Sequence, residues 1–181
     1  MEEKRLRRGN QQGDRQMKTV TIKTSKGNIK LELLEQEAPK TVENFLGYIR
    51  DGHYNNTIFH RVIPNFMAQG GGFDTSFTQL PTKAPIKNEA DNRISNDRAT
   101  VAMARTSDPH SASSQFFINL VDNDFLNYKA SNPQGYGYCV FAKVTEGMEV
   151  VDQIGTVKTG QRGPHGDVPV ENVIIETITE D

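Results

Sequence analysis

The hydrophobic period of this chain turns helical at only two places, and that limits the folds open to it. From Lys18 onward the apolar residues mostly alternate with polar ones or stand in short runs, which is the spacing of strands. "TVTIKT" puts Val20 and Ile22 on one face, and "NIKLELLE" does the same with Ile29, Leu31 and Leu33. Between them "SKGN" offers the Gly and Asn that a hairpin turn wants. "TIFHRVI", "FMAQGG", "ATVAMAR", "QFFINLV", "YCVFAKV" and "ENVIIETIT" follow, separated by clusters of Gly, Asn, Asp and Pro. The first helical stripe is Val42, Phe45, Leu46 and Ile49, at i, i+3, i+4, i+7. Pro39 suits its first turn and Gly52 its end. The second is Met148, Val151 and Ile154. A doubly wound parallel sheet needs a helix after nearly every strand, so this pattern argues against it. It predicts a mainly β fold, an antiparallel sheet closed into a barrel with the two helices over its open ends, because closure removes exposed edges. Loops 74–98 and 121–138 are long, and long loops in a compact domain often build sites.

Composition narrows the function. A mean hydropathy of −0.63 and the absence of any long apolar run predict a soluble chain with no bilayer span. The net charge is −2, and the one basic cluster lies near the N-terminus, so general nucleic-acid binding is not expected. Residues 1–16 carry one Leu, no aromatic residue and many charges. They predict a disordered extension, or a segment added ahead of Met17, with the folded domain over 17–181. A basic arm (Lys4, Arg5, Arg7, Arg8) touching an acidic partner is the alternative. The single cysteine, Cys139, cannot form an internal disulfide. With no secretory core in the first residues, the expectation is a cytoplasmic monomer.

The stretch "FHRVIPNFMAQGGGF" (59–73) is unusual in placing Arg61 inside an apolar run and ending on three glycines. Burying an unpaired guanidinium is costly, and glycines lose more backbone freedom on folding than other residues. "GGGF" precedes no helical pattern, so it reads as a turn or bulge and not a phosphate loop. The four histidines and Cys139 lack metal-ligand spacing, and "SASSQ" has no nucleophile elbow. His60 reads as a hydrogen-bonded core histidine. Asp122, Asp124 and Glu89 read as turn or solvated carboxylates. What remains is Arg61, the amides Gln69 and Gln115, and the apolar Phe66, Met67, Phe117, Phe125 and Leu126. Alternation sends Arg61 away from the face of Val62, puts Met67 with Gln69, and puts Gln115 with Phe117. Three strands could thus offer these groups to one surface. Taken singly, the apolar residues could be core, the glutamines backbone caps, and Arg61 half of a surface ion pair.

"FHRVIPNFMAQGGGF" and "SSQFFINL" resemble the two signature stretches of the cyclophilins, the peptidyl-prolyl cis-trans isomerases. "ATVAMAR" and "YCVFAKVTEGMEVVDQI" fit the same pattern in the same order, from about Met17 to the C-terminus. The chain is most similar to the bacterial cytosolic, B-type form. The resemblance implies a closed eight-stranded antiparallel β-barrel capped by two α-helices. It makes Arg61 the catalytic group and Phe66, Met67, Phe117 and Leu126 the pocket for the proline ring. Gln69 and Gln115 match the amides that hold the substrate and the arginine, and Ala104 and Arg105 match a segment that pairs with the peptide backbone. Tyr138 falls on the pocket wall, where eukaryotic forms often have His, and Arg105 stands where they have Asn. The chain has no tryptophan; Phe125 takes the place of one, which implies weak binding of cyclosporin. Substrates would be proline-containing peptides and unfolded or partly folded proteins, with no cofactor. A non-catalytic proline-peptide module on the same barrel would bind the same peptides, but only an enzyme would speed their cis-trans exchange.

Overall fold

The computed structural model of the protein describes residues 17–181. The expected extension and its basic arm lie in 1–16, outside the described residues. In chain order the elements are β1 (Thr19–Thr24), β2 (Gly27–Leu33), α1 (Pro39–Arg50), β3 (Thr57–Ile58), β4 (Arg61–Ile63), β5 (Met67–Gly70), β6 (Thr100–Met103), β7 (Phe116–Asn119), β8 (Val140–Glu146), α2 (Met148–Ile154), β9 (Thr159–Arg162), β10 (His165–Pro169) and β11 (Ile174–Glu180). Both helices and the hairpin of β1 and β2 fall where the periods place them.

Nine strands make one curled antiparallel sheet in the order β3-β11-β1-β2-β8-β6-β7-β5-β4. This corrects the expectation of a closed eight-stranded barrel: there are nine strands, and the edges β3 and β4 do not pair with each other. The reason lies at Phe59 and His60. The run "TIFHRVI", read as one strand, leaves the ladder there, and Phe59 N donates sideways to Val173 O at 3.0 Å. The two edges are therefore joined by covalent chain where a ladder of hydrogen bonds would otherwise close the sheet. The separate hairpin of β9 and β10 was not legible from the period, because "TGQR" and "HGDVP" alternate no apolar residues.

The two faces of the sheet have different contents. Val62, Ala68, Ile118, Val101 and Ala142 stand opposite one another across β4, β5, β7, β6 and β8, and all are fully buried in the main core. Helix α1 lays Val42, Phe45, Leu46 and Ile49 into that core, with Phe45 packed on the rings of Tyr54, Phe116 and Phe141. Helix α2 adds Val151 and Ile154. Gly52 follows α1 with φ of 72°, as its end requires. At its start, Ala38 offers no side-chain cap. Glu89 supplies one from a distant loop, accepting from Thr41 N at 2.8 Å, Lys40 N at 3.2 Å and Thr41 Oγ1 at 2.7 Å. Glu89 is thus a helix cap, a correction to its reading as a turn or solvated carboxylate. Among the described residues no helix is long and apolar enough to cross a membrane.

Candidate active site

The opposite face of the same strands carries a second, smaller apolar cluster of Leu34, Met67, Ala102, Phe117, Leu126 and Val140. Strand register makes it. Arg61 stands opposite Gln69, Gln69 opposite Phe117, and Phe117 opposite Ala102, so one row crosses β4, β5, β7 and β6. Opposed residues share a face, so a cation, an amide and an aromatic ring line up over an apolar floor. Above this floor is an open groove of about 220 Å³. Its lining holds nine of the eleven residues singled out from the sequence: Arg61, Phe66, Met67, Gln69, Ala104, Arg105, Phe117, Leu126 and Tyr138.

The other two sit at its margins. Gln115 lines an adjoining polar cavity of about 190 Å³, reached past Gln69, Ala104 and Arg105. Its Oε1 accepts from Gln69 Nε2 at 2.8 Å, so it acts on the groove through Gln69. Phe125 is 67% exposed and stacks on Phe66 with ring centroids 5.7 Å apart. It is an outer flank and not part of the lining.

Arg61 is exposed, and among the described residues its guanidinium has no hydrogen bond or ion pair. That removes the reading of Arg61 as half of a surface ion pair within 17–181. Arg105 is committed to protein contacts: its guanidinium lies 4.4 Å over the Tyr138 ring, Nε donates to Gly137 O at 3.0 Å, and Nη1 donates to Thr106 O at 2.8 Å. Tyr138 in turn meets Phe117 edge-on at 5.7 Å. His60, the neighbour of Arg61, is buried as expected, but its Nδ1 has no hydrogen-bond partner among the described residues. Burial above all, then the charges of His165 and Arg61, lowers its imidazole to about 4. It is therefore neutral, and adds no charge beside Arg61 near neutral pH.

The three glycines have local causes, and at Gly70 a Cβ would lie 2.9 Å from Ile58 O. Gly71 has φ of 93°, in the left-handed region, and a Cβ there would lie 2.8 Å from the Tyr54 ring. A Cβ on Gly72 would sit 2.6 Å from Gln115 Cδ, so the lack of a side chain leaves room for the amide pair of Gln115 and Gln69. Sequence reasoning missed a buried set of asparagines behind the groove, Asn96, Asn119 and Asn123. The available signal was Asn119 itself, a polar residue between Ile118 and Leu120 in an otherwise apolar strand.

A curled antiparallel sheet with an apolar groove on one face, edged by an arginine and an amide pair, defines a protein that can seat a small apolar ring beside a cation. The comparisons with known proteins agree on which class this is. The family model described as cyclophilin type peptidyl-prolyl cis-trans isomerase matches residues 19–180. A peptidyl-prolyl cis-trans isomerase of Streptomyces antibioticus is 62% identical over 161 residues, covering 89% of this chain and 97% of the relative. Peptidyl-prolyl cis-trans isomerase B of Escherichia coli is 59% identical over 160 residues, covering 88% and 98%. Among solved structures, a cyclophilin type peptidyl-prolyl cis-trans isomerase of Cryptosporidium parvum matches with a TM-score of 0.73 at 27% identity, covering 91% of this chain and 97% of the other. The same protein in the presence of the dipeptide Ala-Pro matches with a TM-score of 0.73 at 28% identity, covering 90% and 98%. The chain belongs to the cyclophilin-type peptidyl-prolyl cis-trans isomerase family, and its activity is peptidyl-prolyl cis-trans isomerisation.

Proposed function

We propose that Arg61 accelerates rotation about Xaa-Pro bonds by stabilising the twisted prolyl amide, with the proline ring seated on Phe66, Met67, Phe117 and Leu126. The observation that carries this reading is the row Arg61, Gln69, Phe117, which sets a guanidinium with no partner among the described residues beside an apolar floor. Amide resonance gives the rotation a barrier of about 18–20 kcal/mol. Twisting breaks the conjugation and returns the lone pair to the nitrogen. A cation aimed at that nitrogen binds the twisted amide better than the planar one, which is selective binding of the transition state. The apolar walls keep water from competing for the guanidinium and disfavour the more polar planar amide. Two such effects of roughly 2–3 kcal/mol each give about a thousandfold acceleration or more. No nucleophile is required, because no bond to carbon forms or breaks. Gln69, steadied by Gln115, stands opposite Arg61, where it would meet the planar guanidinium fork as the substrate orients it, a contact lysine would make poorly.

The substrates in this reading are proline-containing peptides and unfolded or partly folded chains, met by a cytoplasmic monomer. The lone thiol of Cys139, buried and pushed up to about 12 by its surroundings, fits a protein that makes no disulfide. The solved relative's Ala-Pro dipeptide supplies the probe. Cis-trans exchange of a short Ala-Pro peptide, followed by NMR with catalytic protein, should be fast with the wild type. Arg61→Ala should lose most of that rate while unfolding remains cooperative. Near-full rate in a folded Arg61→Ala would overturn the mechanism.

A further inference from the structure

Three walls of the groove stand on irregular backbone. Phe66 follows β4 in a turn, Leu126 ends a short 3₁₀ turn (Asp124–Leu126), and Tyr138 lies in coil ahead of β8. No strand ladder fixes these three relative to one another. A chain of buried amides does. Asn123 Nδ2 donates to Phe66 O at 3.0 Å and to Asn119 Oδ1 at 2.8 Å. Asn119 Nδ2 donates to Asn96 Oδ1 at 3.1 Å and to Thr100 Oγ1 at 3.0 Å. Asn96 Nδ2 then donates to Leu126 O and to Tyr138 O, each at 3.2 Å. Backbone bonds run beside this chain, from Leu120 N to Phe66 O at 3.0 Å, from Asn123 N to Asn96 O at 2.8 Å and from Tyr138 N to Leu126 O at 2.9 Å, and the three asparagines, at most 3% exposed, join these separate turns through their side chains.

We infer that Asn96, Asn119 and Asn123 are positioning residues that set the spacing of Phe66 from Leu126 and Tyr138, and with it the fit of the groove to a proline ring. The inference rests on the proline-site reading above. Apolar side chains of similar volume would fill the same interior without the cost of burying amides, so stability alone does not account for three of them. Amides can do what a leucine cannot, since each Nδ2 donates to particular oxygens in set directions. The polar chain thus converts packing into register. Asn119 is anchored by the β7 ladder, so Phe66 on one side and Leu126 and Tyr138 on the other are both referenced to the strand that carries Phe117.

The test compares Asn123→Leu with Glu89→Ala, a change that weakens the α1 cap at a residue outside the groove lining. Denaturant curves first establish a temperature at which each is folded, and kcat and KM for the Ala-Pro peptide are then measured there. Asn123→Leu should lower kcat/KM by about tenfold, less than the cost of a full ångström of misplacement. Its Phe66 ring and Leu126 methyl resonances should move, while Glu89→Ala keeps the wild-type kcat/KM. Asn123→Ser, with one donor in place of two, should fall between wild type and Asn123→Leu, and it serves as the variant if the leucine does not fold. Wild-type kcat/KM in either folded Asn123 variant overturns the inference. A wild type that fails to speed the exchange sinks the proline-site reading instead; unshifted Phe66 and Leu126 signals in Asn123→Leu would still refute the positioning role.

Discussion

Replacing Gly72 by alanine should damage the groove from outside its lining. The backbone there needs no positive φ, so alanine is compatible and removes some freedom from the unfolded chain. The new methyl, however, would lie 2.5 Å from Gln115 Cγ and 2.6 Å from Gln115 Cδ, where about 3.4 Å or more is ordinary contact. Gln115 is a half-buried side chain and can swing away. Doing so breaks its 2.8 Å bond with Gln69, the amide opposite Arg61. Losing one such bond, at about 1 kcal/mol, lowers kcat/KM by about fivefold. Stability should change by less than about 1 kcal/mol, since the entropic gain opposes the local rearrangement. NMR exchange on an Ala-Pro peptide gives the rate, and urea unfolding gives the stability. The sharper assay is a double-mutant cycle with Gln115→Ala, which removes the atoms that the methyl meets. In that background Gly72→Ala should cost almost nothing further, so the two changes should be strongly non-additive. Additive losses, or an unchanged rate in Gly72→Ala with a displaced Gln115, would refute the reasoning.

Glu89→Ala should lower the free energy of unfolding by about 1–2 kcal/mol, because it strips the cap from Lys40 N and Thr41 N and leaves the buried Thr41 hydroxyl short of an acceptor; an unchanged urea midpoint would contradict this. The His60 imidazole, lowered to about 4 by burial and then by His165 and Arg61, binds its proton more weakly folded than unfolded, where the value is 6.5. Stability should therefore fall as pH falls from 6.5 toward 4, by up to about 3 kcal/mol. His60→Gln should flatten that slope in urea unfolding at stepped pH, and a slope unaltered by the substitution would assign the loss elsewhere. Phe125 flanks the groove with its ring exposed, so Phe125→Trp should tighten a weak calorimetric titration with cyclosporin; equally tight binding by both proteins would rule Phe125 out as the cause.

The parts of the fold that follow from local period were legible in the sequence. The stripe of Val42, Phe45, Leu46 and Ile49 gave α1, and alternation in "TVTIKT" and "NIKLELLE" gave the first hairpin. Alternation also placed Arg61 opposite Val62 and set Met67 with Gln69, which is the face pattern the strands show. The eleven residues themselves were singled out by family likeness and residue chemistry together, since Ala104, Arg105 and Tyr138 carry no local signal. What local reasoning could not supply was distance. The break at Phe59 and His60 depends on Val173, more than a hundred residues away, so "TIFHRVI" read as continuous. Glu89 looked like a solvated carboxylate because its acceptors' donors are in α1, 48 positions back. The same blindness hid the asparagines, whose bonds span from 4 to 57 residues.

The place of β11 in the sheet has a kinetic consequence. It is the last strand among the described residues, yet in space it sits between β3 and β1 and hydrogen-bonds to both. Two early strands therefore keep an open edge each until β11 reaches them, and the loop-closure cost of both pairings is met together. A chain lacking Ile174–Glu180 would expose two adhesive borders at once, so one strand closes both seams of the sheet when it inserts between them.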